Sequence, residues 1–189
     1  MKDGINWTWI AEAIDDYIWC GYKYLEVPWI VGNEAVKATI PSDKLGWKTF
    51  IPNKHTVISE EVPYLVGSAE QSFVQMMLDG ALDKGRYCAA SPCFRDDKID
   101  EWHQHTFFKV ELIDFRPEST DLSSVVDDAK ELMEYLGNCK LDVVKTEIGQ
   151  DLVYKGIEVG SYGYRQYKAM KWIYGTGLAL PRFSKAVVL

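Results

Sequence analysis

The sequence predicts an α+β fold, a largely antiparallel sheet flanked by helices, and three observations carry that reading. Apolar residues recur at helical spacing in three separate segments. One segment alternates at strand spacing over its whole length, and several short strand-like runs follow one another like hairpins. With 189 residues, 47% of them hydrophobic, the chain can bury a substantial core, and we expect one domain over residues 1–189.

The elements can be justified in order. From Ile5 to Cys20 the residues Trp9, Ile10, Ala13, Ile14, Tyr17 and Ile18 form one apolar stripe, which predicts an amphipathic helix stopped by Gly21. A strand follows in "YKYLEVP" and ends at Pro28, since proline cannot donate to a ladder. Residues 29–56 have mixed polarity with Pro41, Gly46 and Pro52; no regular element is predicted there, only a long excursion over an active face or a dimer partner. Ser68 and Gln71 have capping-box spacing, Phe73, Met76 and Met77 make a stripe and Gly80 is a stop, so a helix opens near Ser68.

Strands then run through "RYCAASPCFR" and "HTFFKVELIDF". In the second, Phe107, Lys109, Glu111 and Ile113 share one face, and Thr106, Phe108, Val110 and Leu112 the other. Leu122, Val125, Val126, Ala129, Leu132, Met133 and Leu136 are the clearest helical stripe, ended by Gly137. Short strands follow in "LDVVKTE", "QDLVYK" and "GIEVGS", and "IYGTGLALPRFSKAVVL" reads as a strand, a tight glycine turn and the start of a helix. No internal repeat or low-complexity segment is visible.

Composition narrows the function. A net charge of −7, from 21 basic and 28 acidic residues, gives no general attraction to nucleic acid or to an anionic membrane. No apolar run approaches a membrane span. Cysteines 20, 88, 93 and 139 form no CxxC pair and no signal peptide precedes them, so a reducing, cytoplasmic setting is expected. Seven tryptophans and eleven tyrosines suit large buried sheet faces or a large interface.

The chemistry rests on a handful of charges. Individually, Arg95 reads as a surface arginine at a strand end, Glu111 as a strand carboxylate paired with Lys109, and "GTG" at 175–177 as an ordinary turn. Yet Arg95, Glu111, Glu158 and Arg182 all lie in or beside apolar, strand-like sequence, where a charge without a partner or ligand is costly. Two cations and several carboxylates converging on one sheet face would suit a ligand that is both a polyphosphate and an amine.

In these residues the chain resembles the catalytic domain of class II aminoacyl-tRNA synthetases, in wording closest to the seryl enzymes. A helix followed by "GYKYLEVPWIV" resembles the first signature motif, which builds a dimer interface. "CFRDD", a loop and "HTFFKVELIDF" resemble the second, and "GTGLALPR" the third. Between them, "GSAEQSF" and "GIEVGS" resemble the family's ammonium-binding loop and its magnesium-facing strand. The matches fall in the family's order and cover nearly the whole chain, without a tRNA-reading domain.

The resemblance implies ATP and Mg²⁺ as cofactors, an amino acid as substrate, a homodimer, and tRNA or another acyl acceptor as partner. It implies that Arg95 binds the α-phosphate, and that Phe107 stacks on adenine with Arg182 on the other face, reaching the γ-phosphate. Asp97 stands near the adenine where the family usually has glutamate. Glu70 and Glu111 would grip the substrate ammonium, Glu158 and Ser161 would ligate Mg²⁺, and Arg165, which resembles an arginine of the aspartate and asparagine branch, would also contact the amino acid. His103 and His105 flank the loop, either as substrate contacts or as plain loop histidines, and Cys93 lacks a four-ligand zinc pattern. Three functions fit: activation with transfer to tRNA, activation with transfer to ammonia or a carrier-protein thiol, or a non-catalytic binding subunit. Retention of Arg95, Glu158 and Arg182 disfavours the last, because buried charges destabilise a site that binds nothing.

Overall fold

The computed structural model describes residues 4–40, 63–119 and 121–188. Its main sheet has seven strands in the order β1 (Lys23–Tyr24), β4 (Arg86–Phe94), β5 (Thr106–Asp114), β9 (Met170–Leu180), β8 (Ile157–Tyr167), β7 (Gly149–Tyr154) and β6 (Asp142–Lys145). Only the β1–β4 pair is parallel. On one face pack α1 (Trp7–Trp19), α4 (Leu122–Gly137) and α5 (Arg182–Val188). On the other lie α2 (Asn33–Thr39), α3 (Ala69–Leu78) and a small ribbon of β2 (Ile30–Val31) with β3 (Tyr64–Leu65).

Each face has its own core. Phe108, Val110 and Leu112 of β5 enter the core under α1, α4 and α5, whereas Ile113 joins Phe73, Val74 and Trp172 on the α3 side, as strand alternation requires. The caps follow the local sequence. Asn6 Oδ1 accepts from Trp9 N, Ser68 Oγ from Glu70 N, and Asp121 from Ser123 N, so each supplies an acceptor to amides that have no partner inside the helix. Gln71 closes no reciprocal box; its Oε1 accepts from Gly67 N at 2.7 Å.

Several expectations are corrected. The "YKYLEVP" segment pairs only over Lys23–Tyr24. The 29–56 stretch contains regular elements: β2 and α2 form because Val31, Ala35 and Val36 bury against α3, and Thr39 closes the last turn of α2 by donating to Ala35 O and Val36 O. Residues 41–56 of that stretch lie outside the described residues. Helix α4 runs through Gly137 and turns at Asn138, which takes the left-handed conformation at φ 44°.

The "GTG" segment is no turn, because β9 continues through it. A Cβ at Gly175 would stand 2.7 Å from the Tyr162 ring, and one at Gly177 2.7 Å from the Tyr17 ring. These glycines make room for two buried tyrosines, whose hydroxyls donate to Thr176 O (2.5 Å) and Gly177 O (2.8 Å). The actual turns flank β8: Lys155 and Gly156 both adopt positive φ in the β7–β8 hairpin, and Lys168 does so before β9.

Candidate active site

On the α3 side, a cavity of about 490 Å³ is lined by β5, β8, β9, the N-terminus of α3 and the loop between β4 and β5. Glu70, Arg95, Asp97, Phe107, Glu111, Glu158, Ser161, Arg165 and Arg182 all line it. Two register shifts make this convergence possible. The β7–β8 ladder slips at Val159, so Glu158 and Ser161 reach the cavity although an odd spacing would send them to opposite faces, while Val159 and Tyr162 enter the core. The β5–β9 ladder slips at Gly177, which places Thr176 and Ala179 on the cavity side and Leu178 and Leu180 in the core.

At one end the side chains suit a nucleotide. Arg95 lies 5.2 Å over the Phe107 ring and donates its Nε to Gly67 O at 2.9 Å. That bond commits the inner edge of the guanidinium, and among the described residues no carboxylate forms a salt bridge with it. Arg182, at the start of α5, donates Nε to Trp102 O at 3.2 Å, and its Nη1 lies 3.9 Å from Glu158 Oε1. The loop is shaped by Asp100, whose carboxylate accepts from Trp102 N, His103 N and the His103 ring; that ring contact, first among these bonds, holds it below the usual carboxylate range. His103 lines the cavity, and His105 Nε2 sits 3.9 Å from Asp96.

The other end is a network of buried charges. Glu70 accepts from Trp172 Nε1 at 2.7 Å through Oε1, and from Arg165 Nη1 at 3.0 Å through Oε2. Burial pushes the Glu70 carboxyl up; the Arg165 guanidinium opposes this, and neighbouring Glu111 reinforces it. Arg165 also donates to Thr39 O at the end of α2 and packs its guanidinium 4.4 Å over the Tyr174 ring. Glu111 is held by Lys109 Nζ at 2.9 Å and by Ser68 Oγ at 2.5 Å. Both carboxylates expected to grip an ammonium are therefore already oriented by donors of the protein.

Lys109, Ser68 and Trp172 supply much of that orientation. Lys109 was legible, two residues from Glu111 on one strand face. A buried tryptophan N–H needs an acceptor, but nothing local identifies one 102 residues away. Glu158 and Ser161 bring two oxygen donors to the cavity wall, the donor type that suits a hard cation such as magnesium. Cys93 is buried, and that burial pushes its thiol up to about 11.

Comparison with known proteins bears on this geometry. The chain is 30% identical over 130 residues to the serine–tRNA ligase of Alcanivorax borkumensis, covering 61% of this chain and 29% of that one. The chain thus spans under a third of that relative. No family model matches. Among solved structures, a pyrrolysyl-tRNA synthetase of Desulfitobacterium hafniense superimposes with a TM-score of 0.74 at 14% identity, over 96% of this chain and 68% of that one. The seryl-tRNA synthetase of Pyrococcus horikoshii, solved in complex with ATP, gives 0.69 at 18% identity, over 92% and 48%. The chain has the fold of the class II aminoacyl-tRNA synthetase catalytic domain and resembles a serine–tRNA ligase in sequence.

Proposed function

We propose that the chain activates an amino acid with ATP, forming an aminoacyl-adenylate. The observation that carries this reading is the division of one cavity into a cationic, aromatic end at Arg95, Phe107 and Arg182 and a carboxylate-bearing end at Glu70 and Glu111. A polyphosphate suits the first and an ammonium the second. The amino acid's carboxylate would then lie between them, facing the α-phosphorus.

In the step itself a carboxylate oxygen attacks the α-phosphorus while the bond from that phosphorus to the bridging oxygen breaks. Pyrophosphate leaves with the electron pair, so no protein nucleophile takes part. The chain contributes position and charge. Phe107 offers a face for the adenine, and Arg95 a planar fork for the α-phosphate, where lysine would offer only a point charge. Arg182, on the wall of the same cavity, would cover the other face of the adenine and reach the γ-phosphate. Asp97, on the cavity wall, would contact the base, and Glu70 with Glu111 would hold the ammonium. Magnesium, when bound, neutralises phosphate charge, and Glu158 with Ser161 would hold it.

A trapping experiment tests this reading. With ATP, the twenty amino acids and hydroxylamine, the chain should form a hydroxamate and AMP in equal amounts, because hydroxylamine captures an activated carboxyl. ATP binding without any hydroxamate would instead support a binding subunit. Adding bulk tRNA then tests the acceptor: AMP formation stimulated by tRNA supports transfer to it.

A further inference from the structure

We infer that Arg165 is a positioning residue for the amino-acid end of the cavity: it holds Glu70 as the carboxylate that receives the substrate's ammonium, and it fixes the end of α2 beside that contact. This rests on the activation reading and refines it, because it moves Arg165 from substrate contact to the support of one.

The geometry is specific. Two donors on two different elements, Trp172 Nε1 on β9 and Arg165 Nη1 on β8, each take one oxygen of Glu70 and so fix the carboxylate plane. The same Nη1 reaches Thr39 O, so the last turn of α2 hangs on the nitrogen that holds Glu70. The other end of α2 is tied to the β8–β9 turn, where Lys168 meets Glu34. The Tyr174 ring lies under the guanidinium and keeps it in this orientation. With Nη1 committed twice and a ring face covered, Arg165 is better placed to orient a neighbour than to read a substrate side chain.

The electrostatics point the same way. An ammonium needs an ionised carboxylate, and the Glu70 side chain is only 6% exposed. The charged and titratable groups facing it are Arg165 and Tyr174 from β8 and β9, and Glu111 and Lys109 from β5. Burial and Glu111 favour the protonated acid, while Arg165 is the leading influence on the other side, ahead of Trp172 and Lys109. Without Arg165 the carboxyl would hold its proton to higher pH and bind an ammonium poorly.

The test uses the full chain with Arg165→Met and Arg165→Lys, in pyrophosphate exchange with whichever of the twenty amino acids the wild type uses best. Arg165→Met should raise the amino-acid KM at neutral pH severalfold, because a larger share of Glu70 then holds its proton. The KM for ATP should change little, and so should kcat at saturating amino acid. The sign with pH follows: Glu70 ionises later in the variant, so its KM should fall toward wild type as pH rises, and Arg165→Lys should recover most of the loss. Independently of activity, infrared spectra should show a protonated carboxyl in Arg165→Met at neutral pH that vanishes when Glu70→Gln is added. An unchanged amino-acid KM would overturn the inference, as would a pH-independent defect that lysine does not rescue. If the wild type exchanges with no amino acid, the activation reading fails, and the carboxyl spectrum alone decides: a protonated Glu70 only in Arg165→Met supports the positioning role, and its absence refutes it.

Discussion

Arg95 and Phe107 form one unit at the cationic, aromatic end of the cavity, an arginine pinned by Gly67 O over an aromatic ring, and they predict different losses. Arg95 would meet charge that builds on the α-phosphate during the reaction, so Arg95→Ala should lower turnover about 10²–10³-fold, the usual loss for one preorganised donor, and ATP affinity much less. Arg95→Lys should rescue little. Phe107 would stack on the base equally in ground and transition states, so Phe107→Ala should weaken ATP binding by about 1–3 kcal/mol, the scale of aromatic–base stacking. Nucleotide titration with each purified variant separates the two: equal affinity losses with unchanged turnover would remove Arg95 from the chemistry.

At the level of elements, the "GTG" run of β9 matters through packing. Gly177→Ala would set a methyl 2.7 Å from the Tyr17 ring and 3.1 Å from Val110 O, between α1 and the sheet. We expect a loss of about 1–3 kcal/mol, the cost of overpacking, read by urea denaturation; wild-type stability would mean that α1 can shift to make room. Strand β5 was legible because its alternation has period two and both faces are buried, so Phe107, Lys109 and Glu111 could be assigned together. Helix α2 was not, because seven residues between prolines and glycines carry little periodicity and its burial depends on α3. The "GTG" run was misread for a related reason: a glycine pattern signals a turn locally, whereas here the glycines answer to Tyr17 and Tyr162, far along the chain. Ser161 and Glu158 share a wall only through a slip in the ladder, which no spacing reveals.

At the scale of the whole molecule, two expectations concern partners. Trp19 is 90% exposed where α1 meets the sheet edge at β1, and Tyr24 on that edge strand is also exposed. Aromatic surface of this kind, beside the strand that ends the sheet among the described residues, predicts a homodimer through α1 and β1. Light scattering at micromolar concentration should give twice the chain mass, and Trp19→Glu should reduce it; a wild-type monomer would contradict this. The net charge of −7 predicts weak binding to tRNA by this chain alone at physiological salt, and a sub-micromolar gel shift would overturn that.

The central claim is that one cavity joins ATP to an amino acid, and isotope exchange between labelled pyrophosphate and ATP tests it most directly. Screened over the twenty amino acids, exchange should depend strictly on one or a few of them and collapse in Arg95→Ala. Exchange with no amino acid, from a folded wild type that still binds ATP, would contradict the account.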